Sequence, residues 1–236
     1  MTTSDHMPTD ALISEMEASE VALLEELLAR RKPDVAIEVG TAGGASLAIM
    51  AQYARIVHSI DIDPRVRARL GSRFPNVEFH TGPSQRILPD LIARLQSTGA
   101  ALGFALVDGD HSSEGVRGDI QALLRHIPTV PFEILFHDSF NPGCREGIRS
   151  ANWAANPHVH SVELDFHPGV LHDRADIRGQ MWGGFARALL YPAPRTAALE
   201  FTASQEKRFL ELRSLSVHAR DEGRSIFSKL FRSRYS

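Results

Sequence analysis

VAIEVGTAGGASL, residues 35–47, runs from a short apolar stretch through a glycine-rich loop into helix-forming residues. Val35–Val39, bounded by Pro33 and Gly40, reads as a strand, and Ala45–Tyr53 as a helix. Glycines between them let the backbone turn sharply and let a ligand approach it closely. Before this unit, Leu12, Ile13, Met16, Val21, Leu24, Leu27 and Leu28 recur at helical spacing from about Asp10 to Arg31. After it, strands Ile56–Ile60, Val77–His80, Phe104–Val107 and Phe132–Phe136 alternate with helices Pro64–Phe74, Arg86–Gln96, Ser113–Arg125 and Arg145–Ala155. Such alternation implies an α/β fold, a mostly parallel sheet with helices on both faces. Val159–Phe166 and Met181–Leu190 are two further strands, read as a hairpin with a long polar link, which makes seven strands with the last antiparallel. Residues 192–202, with two prolines, read as a linker, and one or two helices close the chain beyond Ala203. The expected organisation is one domain over 1–192 with a helical start, and a helical appendage over 193–236.

The 236 residues carry 26 Lys and Arg against 29 Asp and Glu, a net charge of −3, and are 43% hydrophobic. Near-balance argues against a broad basic surface for nucleic acid and against an acidic disordered chain. A single cysteine, Cys144, excludes an internal disulfide framework and a multi-cysteine metal site. No apolar run approaches a membrane span, and the first residues do not read as a secretory signal. A cytoplasmic protein is expected.

The candidate ligand-binding residues lie at successive strand ends, where open α/β sheets hold their ligands. The loop offers Glu38, Gly40, Gly43, Gly44 and Ser46. Its spacing departs from Gly-x-Gly-x-x-Gly, which disfavours a nicotinamide cofactor. Asp61 ends the second strand about 20 residues on, where an acid can take ribose hydroxyls. Asp63-Pro64 reads as a helix start. Gly82, Ser84 and Gln85 follow the third strand. The fourth strand runs into Asp108, Asp110 and His111, and the fifth ends in His137, Asp138 and Ser139. Oxygen ligands converging from two strand ends suit a hard divalent cation such as Mg²⁺, and the histidines leave Mn²⁺, Fe²⁺ or Zn²⁺ open.

This order of motifs resembles the class I S-adenosylmethionine-dependent methyltransferases, whose fold is Rossmann-like. An acid precedes Gly-x-x-x-Gly there, and the second strand ends in an acid. The segment VEFHTGPSQRIL, residues 77–88, looks like the segment of catechol O-methyltransferases whose Ser-Gln pair lies against adenine, here Ser84 and Gln85 after Gly82. DGDHSSEGVRGDI, residues 108–120, followed by the strand end Phe136-His137-Asp138, is similar to the branch of sugar-modifying and cephalosporin-hydroxylase-like proteins. The resemblance covers about residues 34–192. In the metal-dependent catechol type, Asp-x-x-Lys supplies a metal ligand and a general base. Asp108-x-x-His111 has that spacing with histidine as the base, as in macrolide-sugar O-methyltransferases. Asp138 carries over as a metal ligand, with the third ligand open between His137 and Ser139.

The resemblance implies transfer of a methyl group from S-adenosylmethionine to a hydroxyl, assisted by Mg²⁺ or Mn²⁺. The cofactor would be held by Glu38, Gly40, Gly43, Gly44, Ser46, Asp61, Gly82, Ser84, Gln85 and Asp108. The cation would lie on Asp108, His137 and Asp138. A sugar or glycoside is the first acceptor expected and a catechol-like phenol the second. A non-catalytic S-adenosylmethionine-binding protein is the reading from a different class. Trp153 and Trp182 read as core or site-lining residues, His167 and His172 as loop residues near the acceptor, Cys144 as a packing residue, and Arg117 and Asp119 as a solvated helix face. The tail Arg224–Tyr235 places an apolar stripe beside basic residues, which suits a docking or dimer-packing helix, or a membrane-surface contact.

Overall fold

A computed structural model describes residues 12–219 of the chain. The tail read as an amphipathic helix, and the first residues of the expected N-terminal helix, lie outside them.

An eight-stranded sheet forms the centre, in the order β3-β2-β1-β4-β5-β9-β6-β10. The strands are β1 (Val35–Val39), β2 (Ile56–Asp61), β3 (Val77–Thr81), β4 (Leu102–Val107), β5 (Phe132–His137), β6 (Val159–His167), β9 (Phe185–Leu190) and β10 (Glu200–Thr202). β9 runs antiparallel to both β5 and β6, and the other neighbouring pairs are parallel. A small hairpin of β7 (Val170–Leu171) and β8 (Met181–Trp182) stands apart from the sheet, in the link between β6 and β9.

Each central strand sends alternate side chains to opposite layers, as the pleat requires. Val35, Ile37, Val39, Ala105 and Val107 pack with Leu88, Leu91 and Ile92 of α4 (Ser84–Ser97), Val116 and Ile120 of α5 (Ser113–Leu123), and Ile148 of α6 (Pro142–Ser150). Ala36, Phe104 and Leu106 face the opposite way. They meet Leu24 and Leu28 of α1 (Ala18–Arg31), Leu47 and Met50 of α2 (Ala45–Tyr53), and Val66 and Leu70 of α3 (Pro64–Leu70). β4 and β5 are buried along their whole length, which explains their unbroken apolar runs.

α1 begins later than its apolar spacing suggests. Glu17 and Glu20 form a reciprocal cap that starts the helix at Ala18. Asp63 caps α3 by accepting the N–H of Arg65, as its position before Pro64 implies. The expected linker is corrected: Glu200–Thr202 adds β10 beside β6, an eighth strand. α7 (Glu206–Leu215) then packs back on α6. The buried Arg145 bonds Asp165 on β6 (2.7 Å) and pairs with Glu206, while its guanidinium stacks 4.1 Å from the Phe209 ring centre. Among the described residues no helix is long and apolar enough to cross a membrane.

Candidate active site

The strand order reverses between β1 and β4, so their carboxyl ends open a crevice. Two cavities meet there.

The first, about 440 Å³, is lined by Gly40, Asp61, Gly82, Ser84, Gln85, Asp108 and Gly109. Gly40 is obligatory. Its φ is +83°, and an added Cβ would lie 1.8 Å from the Asp108 carbonyl oxygen. Left-handed strain of about 1–2 kcal/mol and overpacking of about 1–3 kcal/mol then act together. Gly40→Ala is therefore expected to lower the unfolding free energy by roughly 2–5 kcal/mol, read in a denaturant melt. An unchanged midpoint would mean that the loop has room to move.

Asp61 organises this loop. Its Oδ2 accepts the backbone N–H of Thr41 (2.9 Å) and Ala42 (3.0 Å), and Oδ1 that of Asp63 (2.8 Å). A carboxylate has about four acceptor positions, so a further donor in the cleft can still be served. Ile62, 72% exposed, lines the same cavity as a bare apolar surface for a flat ring. Sequence reading passed over Ile62. The signal was an apolar residue directly after the strand-ending acid.

Not all of the predicted cofactor residues face this cleft. Glu38 is fully buried behind the loop, where it accepts the hydroxyls of Thr41 and Ser46, each at 2.7 Å. Burial pushes its carboxyl up to about 7. Glu38 and Ser46 thus fasten the loop to the start of α2. Gly44, at φ +84°, precedes α2 under Leu70 and Leu12, and Gly43 lies against Ile13. Ser84 lines the cleft but donates its hydroxyl to Asp119 (2.6 Å). Asp119 is fully buried, which corrects the solvated face expected of it; burial raises its carboxyl to about 6. Arg117 is half-buried and donates to the Ser150 hydroxyl of α6 (3.3 Å).

The second cavity, about 200 Å³, shares Glu15, Asp108 and His111 with the first. The acid–histidine cluster lies at this junction. His111 Nε2 is 3.5 Å from Asp108 Oδ1 and 3.2 Å from Asp138 Oδ2. His137 Nδ1 is 3.2 Å from Asp108 Oδ1 and 3.5 Å from Asp138 Oδ2. Asp108, His137 and Asp138 each offer one ligand atom, all within 4.8 Å of one another. Two carboxylates and an imidazole are a donor set that fits a divalent cation. Ser139 is fully buried and lines neither cavity, so of the two candidates for third ligand His137 stands with the acids.

Asp138 has φ 57°, a left-handed conformation uncommon for a residue with a side chain. The Gly183 N–H donates to its Oδ1 (2.6 Å), leaving Oδ2 to the two histidines. His137 Nε2 lies 3.3 Å from Glu20 Oε2, and Glu20 Oε1 accepts the Gly184 N–H. A histidine whose far nitrogen is held by a carboxylate is fixed in tautomer and orientation, the usual support behind a metal-ligating imidazole.

Sequence reading missed Glu20. It precedes Leu24 and Leu28 by four and eight residues, so it continues the buried stripe of α1. An acid on an apolar stripe was the available signal.

The electrostatics follow from this crowding. Burial raises Asp108, but the charge of His137 and the bonds from both histidines bring it well below the carboxylate range. The Asp108 hydrogen bond holds His111 above the ordinary imidazole value, against partial desolvation. Burial lowers His137, and Asp108, Asp138 and Glu20 outweigh it and keep its proton on. Burial raises Glu20 too, and the bond and charge of His137 bring it below normal.

Trp182 stands edge-on to His111 (5.2 Å between ring centres) and lines the second cavity with His172, Arg174 and Ile177. Trp153 is core: its indole N–H donates to Ile148 and its ring packs on Phe136. His167 meets Ser19 instead of the cavity. Cys144 is buried, and burial pushes its thiol far up, which suits packing.

Residues 37–139 match the family model described as a methyltransferase domain. Comparison with curated protein sequences finds no match. Among solved structures, cofactor-bound Rv0187 from MTB is 20% identical, with a TM-score of 0.56 over 77% of this chain and 84% of that one. The O-methyltransferase TomG from Streptomyces achromogenes, involved in tomaymycin synthesis and in complex with SAM, is 18% identical, with a TM-score of 0.55 over 76% and 82%. An O-methyltransferase from Bacillus cereus in complex with SAH is 16% identical, with a TM-score of 0.53 over 76% and 84%. The sequence match and the shared architecture agree with the motif reading: the chain has the class I methyltransferase fold, and its residues 37–139 are similar to a methyltransferase domain.

Proposed function

We propose that this protein transfers a methyl group from S-adenosylmethionine to a hydroxyl of a sugar or glycoside, with a divalent cation held by Asp108, His137 and Asp138. One observation carries the reading: His111 lines both cavities, so a single imidazole stands where a cofactor cleft meets an acceptor pocket. O-methyltransferases with bound SAM or SAH among the structural neighbours support the choice of cofactor and reaction.

S-adenosylmethionine supplies an electrophilic methyl on a sulfonium. A bound cation supplies positive charge that lowers the proton affinity of an acceptor hydroxyl. The chain's own residues do the rest. Gly40 lets the backbone approach the cofactor, Asp61 accepts from its ribose, and Ile62 offers an apolar surface to its base. His111 takes the hydroxyl proton, and Asp108 and Asp138, beside its Nε2, stabilise the imidazolium that forms. Much of the rate would come from holding the acceptor in line. Trp182 beside the polar His172 and Arg174 suits a sugar, whose C–H faces are apolar and whose rim donates and accepts hydrogen bonds.

The test is transfer of a labelled methyl group to a panel of glycosides and catechols. Product from glycosides is expected. Product from catechols alone replaces the acceptor, and cofactor binding without any product overturns the enzymatic reading in favour of a binding protein.

Asp61→Ala is expected to weaken S-adenosylmethionine at least tenfold, about 1.4 kcal/mol, by calorimetry on a variant whose thermal melt shows it folded. Unchanged affinity would move the ribose elsewhere.

A further inference from the structure

We propose that the chain has a second cation site, away from the crevice, in which His58, Glu78 and His80 hold a borderline divalent ion such as Zn²⁺ and fasten the edge strand β3 to β2. His58 lies opposite Glu78 in the β2–β3 register, and His80 follows Glu78 by two residues, so all three side chains leave the same face. Their ligand atoms lie within 4.8 Å of one another.

The spacing is close to that of a bound ion. His58 Nδ1 is 3.2 Å from His80 Nε2 and 3.3 Å from Glu78 Oε2. Two ligands each about 2.0 Å from a tetrahedral zinc are about 3.3 Å apart. Two imidazoles and a carboxylate match the preference of zinc, and a water would complete the shell. Burial lowers His58 to about 4 and lowers His80 as well, so both rings are neutral at neutral pH, with lone pairs available. His58 is 4% exposed in its side chain and Glu78 52%, so the site has a fixed floor and an open mouth.

Two cations stand nearby and set the cost. Arg94 of α4 reaches Glu78 Oε2 at 3.3 Å, and Arg67 of α3 acts on His80. The Arg94 side chain is 52% exposed and free to turn towards water as the ion arrives.

Among the described residues β3 is the outermost strand on its side of the sheet, paired only with β2. It leads directly into Gly82, Ser84 and Gln85 of the cofactor cleft. An ion bridging β2 and β3 binds the folded state alone and so stabilises it.

The experiment is Zn²⁺ titration by calorimetry at neutral pH, on the full chain carrying Asp108→Asn and Asp138→Asn to silence the crevice. One Zn²⁺ should still bind and raise Tm. Adding His80→Ala, or the milder Glu78→Gln at a half-exposed position, should raise Kd at least tenfold and remove the Tm shift. In the unsubstituted chain the same two changes should lower the Zn²⁺ stoichiometry by one. No Zn²⁺ bound in the crevice variant, or a Kd and Tm shift indifferent to both His80→Ala and Glu78→Gln, would overturn the site.

Discussion

His111→Ala is expected to lower kcat by roughly 10²–10⁴-fold, the range of general acid–base catalysis. Affinity for S-adenosylmethionine should stay within about twofold, because the Asp61 and Gly40 side of the cleft is untouched. The wild-type rate should fall as pH falls, since a base works only when deprotonated. The Asp108 hydrogen bond holds His111 above the ordinary imidazole value. The acidic limb should be missing in the variant. His137→Ala is the contrast. It removes a candidate ligand, so it should raise the cation concentration needed for half-maximal rate before it lowers the maximal rate. A His111 variant with near-normal kcat, or one rescued by extra cation, would make this residue a ligand or a bystander.

Chelation is expected to abolish turnover, and added Mg²⁺ or Mn²⁺ to restore it. Cofactor binding should survive the chelator, because the loop around Gly40 is fastened by the hydrogen bonds of Asp61, Glu38 and Ser46. Glu20→Gln should weaken the cation requirement's structural support. Glutamine leaves His137 Nε2 without its charged partner, and outer-shell losses of this kind cost about 10–100-fold in metal affinity or activity. The measurements are rate against free cation and calorimetry with excess chelator. Full activity with the metal content shown to be negligible would remove the cation from the mechanism and leave His111 as an unaided base.

The central fold was legible because its signals are local. Val35–Val39 and Ala45–Tyr53 occupy the residues that their apolar runs and flanking breakers imply. Parallel strands are buried on both faces, so each announces itself as an apolar run between turn residues. β10 was not legible: three residues, Glu200–Thr202, carry no strand signal of their own, and only the exposed edge of β6 calls for them. At the site, Asp61, Asp108, His111, His137 and Asp138 could be named because chemistry in this fold gathers at strand ends. Glu20, Gly183 and Gly184 could not be reached that way. They come from a helix face and a turn after β8, and their place depends on packing across the whole chain. Asp119 failed for a related reason. Its burial is decided by a neighbouring helix end, where Ser84 supplies the one hydroxyl that meets its Oδ1.

Gly183 and Gly184 also bear on how the protein comes into being. The Gly184 N–H closes on Glu20 across 164 positions of sequence, and β9 must slide between β5 and β6 to bring it there. Contacts of such separation carry the greatest loop-closure entropy and belong to the slow part of a folding reaction. A chain released from the ribosome before residue 183 already contains every residue of the glycine loop, Asp61 and the third-strand segment, yet lacks the two amides that aim Asp138 and Glu20. Such a fragment also lacks β9, the strand that joins β5 to β6 inside the sheet. The acid–histidine cluster is therefore finished late, by residues that the chain makes after every acid and histidine in it.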